Sequence, residues 1–181
     1  MAAAKRKKRF YTVEMPLIKR QTQLQGYEAK DLENKYIKYD LTRILKGKSM
    51  IITFKTKLEG EELLTIPKEL KLLPFYLKRM VRRGTNYVED SFLTECEDAQ
   101  IRLKPFLVTR KKVSRAVRKA LRNKIKEELV EWTKNENSEK LFEDIIKNKI
   151  QKELSVKLKK IYPLSLCEIR VIKVEKEKEE N

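Results

Sequence analysis

Between Asp98 and Glu127 the chain carries no acidic residue, while Arg102, Lys104, Arg110, Lys111, Lys112, Arg115, Arg118, Lys119, Arg122, Lys124 and Lys126 all fall in that interval. Cations at this density repel one another and cannot be buried without partners, so the fold must lay them out on a surface. Residues 109–126 read as a short connection followed by a helix from Ser114 onward. At about 100° per residue, Arg115, Arg118, Lys119, Arg122 and Lys126 share one arc. Ala116, Val117, Ala120, Leu121 and Ile125 share the arc expected to dock on a core. No Asp or Glu stands three or four residues from Arg115, Arg118, Lys119 or Arg122, so their charge is not answered within the helix. A polyanion would answer it, and a clustered basic stripe is the footprint of a nucleic-acid binder; a solvated face that only aids solubility is the bland alternative.

The whole chain shares this bias. Lysine and arginine total 44 against 27 acidic residues in 181, an excess of 17 positive charges. RNA, DNA or an anionic membrane could each meet such a field. A chain of this length suits one domain, burying roughly 70% of the surface its unfolded form exposes. No apolar run approaches the roughly 18 residues of a membrane span, and the basic residues 5–9 lead into Phe10-Tyr-Thr-Val-Glu14 rather than into the apolar core of a signal peptide. A soluble, intracellular protein is expected. The membrane reading is the weakest, because the basic helix opposes Ala and Val rather than the Trp, Phe and Leu of an interfacial helix.

Catalytic chemistry has little to work with. Histidine is absent, which removes the commonest general base and metal ligand together. Cys96 and Cys167 have no close cysteine neighbour, so they fit neither a zinc spacing nor a disulfide framework and read as half-buried thiols. The glycines at 26, 47, 60 and 84 are scattered, which excludes a glycine-rich phosphate loop. No catalytic residue, metal ligand or cofactor is expected, and the protein reads as a non-enzyme.

In order, residues 1–9 form a basic arm with nothing to pack, expected to be disordered. Residues 10–17 alternate as a strand, with Tyr11, Val13 and Met15 inward and Pro16 closing it. Residues 19–34 are polar and read as a loop with at most a short helical turn. Residues 36–41 and 51–58 alternate again, with Ile37, Tyr39 and Leu41, then Ile52, Phe54 and Leu58, inward; a shorter apolar piece follows at 63–66. These are strands of one antiparallel system. Pro74 and Gly84 bracket a helix over 75–83, whose Lys78, Arg79, Arg82 and Arg83 form a second basic cluster. Residues 87–94 and 100–108 read as a hairpin, with Ile101 and Leu103 inward and Pro105 forcing an edge or a bulge. After the basic helix, Leu141, Phe142, Ile145, Ile146, Ile150, Leu154, Leu158 and Ile161 recur along one helix that Pro163 ends. Residues 164–174 form a last strand, and 175–181 a charged, frayed tail. The fold class is α+β, with a single domain over 10–174.

Several of these stretches resemble one family, the small-subunit ribosomal protein S1 of the archaeal and eukaryotic type. Tyr36-Ile-Lys-Tyr-Asp-Leu-Thr42 looks like its Glu-x-x-Leu-x-Asp-Leu-Thr segment, and Tyr76-Leu-Lys-Arg-Met-Val-Arg-Arg83 is similar to its Tyr-x-Arg-Ser-Leu-Val-Arg-Arg helix. Gln100-Ile-Arg-Leu-Lys104, running on to Thr109, resembles its Leu-Arg-x-Lys strand. Lys119-Ala-Leu-Arg122, Lys160-Ile-Tyr-Pro-Leu164 and Glu168-Ile-Arg170 resemble three later motifs in the same order. Two departures stand out: the family's Asp-Gly turn appears as Glu97-Asp98-Ala99, and the Gln of its basic helix as Val117. The resemblance implies a mixed, mostly antiparallel β-barrel-like sheet flanked by helices. It also implies a structural place on the small-subunit platform near the mRNA exit, with small-subunit rRNA, neighbouring ribosomal proteins and mRNA as partners, in the cytoplasm and bound to the ribosome. A free-standing RNA- or DNA-binding factor is the alternative.

The expected RNA contacts are Lys78, Arg79, Arg82, Arg83, Arg110, Lys111, Lys112, Arg115, Arg118, Lys119 and Arg122. They would act through phosphates, because Tyr76, Tyr87 and Trp132 read as core or core-edge residues and few aromatics remain to stack on bases.

Overall fold

A computed structural model describes residues 7–60, 62–134 and 136–177. Its contacts divide the chain into two compact units, one of residues up to 39 with 52–68, the other of 40–51 with 69 onward.

In the first unit β1 (Arg9–Met15) turns Val13 and Met15 inward and Thr12 and Glu14 outward, as its alternation predicts. A 3-10 turn at Pro16–Ile18, closed by Lys19 in the left-handed region (φ +51°), reverses the chain into β2 (Arg20–Gly26). That strand pairs antiparallel with β1 from Met15↔Arg20 to Arg9↔Gly26. Part of the expected loop over 19–34 is therefore a strand. Its sequence, RQTQLQG, hides this because the strand is held by the β1 ladder and leaves most of its side chains exposed. A second 3-10 turn (Lys30–Leu32) lays Leu32 on β2 so closely that a Cβ on Gly26 would stand 2.9 Å from its Cγ. Val13, Leu32 and Leu63 form a small core edged by Tyr11, Leu24, Ile37 and Leu58. β3 (Tyr36–Asp40), β4 (Met50–Glu59) and β5 (Glu62–Leu72) follow; β5 runs well past the expected 63–66 and meets β1 in parallel at Val13↔Leu63.

The second unit is built on β8 (Ala99–Thr109), bordered on one side by β9 (Leu164–Glu177) and on the other by the short β6 (Tyr87–Glu89) and β7 (Phe92–Glu95). Pro105 lies inside this central strand, and a register shift at Lys104/Pro105 is the expected bulge. β9 pairs Lys176 with Gln100 and Glu177 with Ala99, so the supposed frayed tail is strand through residue 177. Glu175 there accepts a hydrogen bond of 2.8 Å from Arg102 Nε. Residues 178–181, and the expected arm through residue 6, lie outside the described residues, and Arg9 already opens β1. The hydrogen-bonded order β2-β1-β5-β9-β8-β6 has two ends among the described residues, so the sheet is open and mostly antiparallel where a barrel-like closure is implied.

The helices of this unit are α1 (Pro74–Met80), α2 (Arg115–Lys134), α3 (Ser138–Ile146) and α4 (Lys149–Lys159). α2 packs on β6, β7 and α4, and α3 and α4 pack on β9. The single helix expected over 141–161 is broken at Asn148, which takes the left-handed conformation (φ +58°) and accepts a 2.6 Å hydrogen bond from Lys48 Nζ. Lys48 is buried and also pairs with Glu168 at 2.5 Å, so the break sits over an ion pair that the local sequence cannot announce. Asp98, in the turn where the family motif has Asp-Gly, accepts from the backbone N–H of Ser138 at 2.9 Å and from its hydroxyl, fixing the start of α3.

Candidate nucleic-acid interface

Asn86 and Thr109 tie the interface together. Thr109 donates its N–H to the Asn86 carbonyl (2.9 Å), and its hydroxyl accepts the Asn86 N–H (3.0 Å) and donates to the Lys111 carbonyl (2.7 Å). The Asn86 side chain accepts the Val113 N–H at 2.8 Å. One cross-strand pair thus holds the turn carrying Arg82 and Arg83 and the segment carrying Arg110, Lys111 and Lys112 at the same end of the β6–β8 ladder. Ser114 then caps α2: its hydroxyl accepts the Val117 N–H (3.4 Å) and its carbonyl the Arg118 N–H (3.2 Å).

α1 is shorter than expected. It ends at Met80, and Val81 is extended, so Arg82 and Arg83 lie on a turn rather than on the helix face with Lys78 and Arg79. A helix through residue 83 would set Lys78 against Arg82 and Arg79 against Arg83 at i, i+4, a repulsion the early ending avoids. The turn is closed by the Thr85 hydroxyl on the Arg82 carbonyl (2.7 Å), with Gly84 at φ +82°. Arg79 lies 5.5 Å above the ring of Tyr76, which is buried as expected; burial raises the Tyr76 pKa.

The basic face of α2 is rotated from its expected position. Leu121, Ile125, Glu128, Leu129 and Thr133 are the buried residues, while Ala116 and Ala120, assigned to the core, are exposed. Arg118 falls at the edge of the buried arc. It is half-buried, and its Nε is enclosed with no hydrogen-bond partner among the described residues. Leu and Ile bury far more apolar area than Ala, so they set the rotation and carry Arg118 inward. Arg115, Arg118, Lys119 and Arg122 line a hollow of about 450 Å³ between α2 and β6, whose rim also carries Tyr87 and Asn123. Tyr87, expected in the core or at its edge, is 55% exposed, with its ring stacked on buried Phe106 (centroids 6.0 Å apart).

Several cations elsewhere in this unit meet acids: Lys124 and Lys157 both reach Glu128, Lys149 reaches Asp144 (2.8 Å), and Arg170 reaches Glu89 (3.2 Å). The hydrogen bond from Lys157, then that from Lys124, holds the Glu128 carboxyl below the ordinary range against its burial. Among the described residues, none of Lys78, Arg79, Arg82, Arg83, Arg110, Lys111, Lys112, Arg115, Arg118, Lys119 and Arg122 makes an ion pair. Both cysteines are buried, and burial pushes the Cys167 thiol up to about 12, so it stays protonated and inert.

The family model described as the Ribosomal S3Ae family matches residues 3–178. The chain belongs to the ribosomal S3Ae family. All the stretches that carry the resemblance in the sequence fall within that match. S3Ae relatives named small ribosomal subunit protein eS1 include that of Methanothermobacter thermautotrophicus, 34% identical over 95 residues, which cover 52% of this chain and 49% of the relative. That of Nanoarchaeum equitans is 30% identical over 116 residues (64% and 59%), and that of Pyrobaculum arsenaticum 28% over 138 (75% and 63%). The chain thus spans about half to somewhat under two thirds of the length of these relatives.

Proposed function

We propose that this protein is a structural, non-catalytic constituent of the small ribosomal subunit that grips rRNA through the cations at the Asn86–Thr109 end of the second unit and along the first half of α2. The observation that carries this reading is unanswered charge: the cations of residues 78–122 named above have no ion pair among the described residues, whereas Arg102 within the same stretch and Lys124 just after it do. Charge left unanswered on one surface suits a phosphate backbone. The S3Ae membership and the relatives' names support the ribosomal assignment. In this reading the protein is cytoplasmic and ribosome-bound, on the platform near the mRNA exit, touching neighbouring ribosomal proteins and passing mRNA. Residues 10–174 serve as one RNA-binding domain in this reading, since β4 and β5 each contribute residues to both units.

Cosedimentation tests it. The protein should travel with small subunits and come off only at high salt. Recovery in the soluble fraction at moderate salt, with none on small subunits, would favour the free-standing factor instead. For a purified small-subunit rRNA fragment, the logarithm of affinity should fall linearly with the logarithm of salt, and Arg115→Ala or Arg122→Ala should each shallow the slope by roughly one unit or less.

A further inference from the structure

The hollow between α2 and β6 holds more than a phosphate site needs. Its volume of about 450 Å³ falls within the roughly 300–1,000 Å³ of small-molecule sites. Arginines line it, and one of them, Arg118, has an enclosed Nε with no partner among the described residues. The hollow is also lined by Tyr87, a half-exposed ring stacked on Phe106, and by Asn123. Guanidinium groups suit a phosphate, an exposed ring braced from behind suits the face of a base, and an amide can pair with a base edge.

We infer that this hollow captures one unpaired nucleotide of RNA, its base lying on Tyr87 and its phosphate held by Arg115, Arg118 and Arg122. The inference rests on the RNA-binding reading above and adds to it that the site selects single-stranded over duplex RNA. Bases inside a helix are stacked on their neighbours and cannot enter a hollow beside a helix; only a splayed nucleotide offers its face and phosphate together.

Binding of the full chain to fluorescein-labelled hexauridylate and hexaadenylate, against a blunt RNA duplex of matched phosphate number, tests this. Tyr87→Ala should weaken binding to the single strands by about tenfold and leave duplex affinity and the salt slope unchanged, while Tyr87→Trp should keep the preference. Equal effects of Tyr87→Ala on both RNAs, or none on either, would overturn the inference while a persisting salt slope left the phosphate reading intact. Loss of the salt dependence with both RNAs would sink the phosphate reading instead. A second measurement does not depend on how Tyr87→Ala folds. In Tyr87→Trp combined with Trp132→Phe, the one remaining tryptophan should be quenched by hexauridylate and not by its abasic counterpart. Quenching by both, or by neither, refutes stacking. Uridine monophosphate binding as tightly as hexauridylate would make the site one for free nucleotides and overturn the RNA assignment.

Discussion

Glu128 is buried on α2 between Lys124 and Lys157, and its lowered pKa links stability to pH. A carboxyl whose folded pKa is depressed stabilises fully above its ordinary value of 4.5 and loses that contribution as pH falls through the folded value. Wild-type protein should therefore unfold at a higher urea concentration than Glu128→Gln near pH 7, and the gap should close as the medium is taken well below pH 4.5; a gap independent of pH would assign the effect to packing. Arg118 poses the opposite case. A buried polar atom without a partner costs about 1–3 kcal/mol, so Arg118→Met should leave the free protein as stable or raise its unfolding free energy by about 1 kcal/mol, while weakening RNA binding. Chemical denaturation and RNA titration of the same variant check both halves, and marked destabilisation would show that Nε is satisfied in solution. Asn86→Ala removes the acceptor of the Val113 N–H and should cost about 1 kcal/mol; weaker RNA binding should accompany it, because that bond sets the entry to α2.

Among the elements, the turn after α1 depends on Gly84 at φ +82° with open space around its Cβ position. Gly84→Ala should then destabilise by about 1 kcal/mol or somewhat more through backbone strain alone, measurable as a shift in the urea midpoint at constant slope. The strands that turn alternate residues inward, β1, β3 and β4, were legible in the sequence because each brings its own apolar pattern. α2 was legible as a helix but not in its rotation: Ala and Leu look alike to a pattern of apolar spacing, yet Leu121, Ile125 and Leu129 rather than the alanines bury enough area to choose a face. β2 was not legible, since its partner rather than its composition makes it a strand. The break between α3 and α4 depends on Lys48, 100 positions before Asn148. The cations of the proposed interface are nameable from charge alone, whereas the Asn86–Thr109 tie and the exposure of Tyr87 arise from tertiary contacts.

The molecule as a whole carries an excess of 17 positive charges, and no helix among the described residues is long and apolar enough to cross a membrane. Self-repulsion of that size weakens the compact state, and screening shortens its reach from about 10 Å at 0.1 M salt to about 3 Å at 1 M. The thermal unfolding temperature of the free protein should therefore rise with sodium chloride over that range; a fall would show that the ion pairs of α2 to α4 outweigh the repulsion. The position of β9 has a consequence in time. It is the last of the described strands to be synthesised, yet it lies between β5 and β8. While the chain is being made, β8 waits with one edge bare and the cationic helix already emerged, and that edge cannot pair until residues beyond 164 have followed. A growing chain would thus pass through a stage with open strand edges and a strong attraction for any RNA nearby. Protection of residues 99–134 from protease should appear abruptly once β9 has been released, rather than building up as synthesis proceeds.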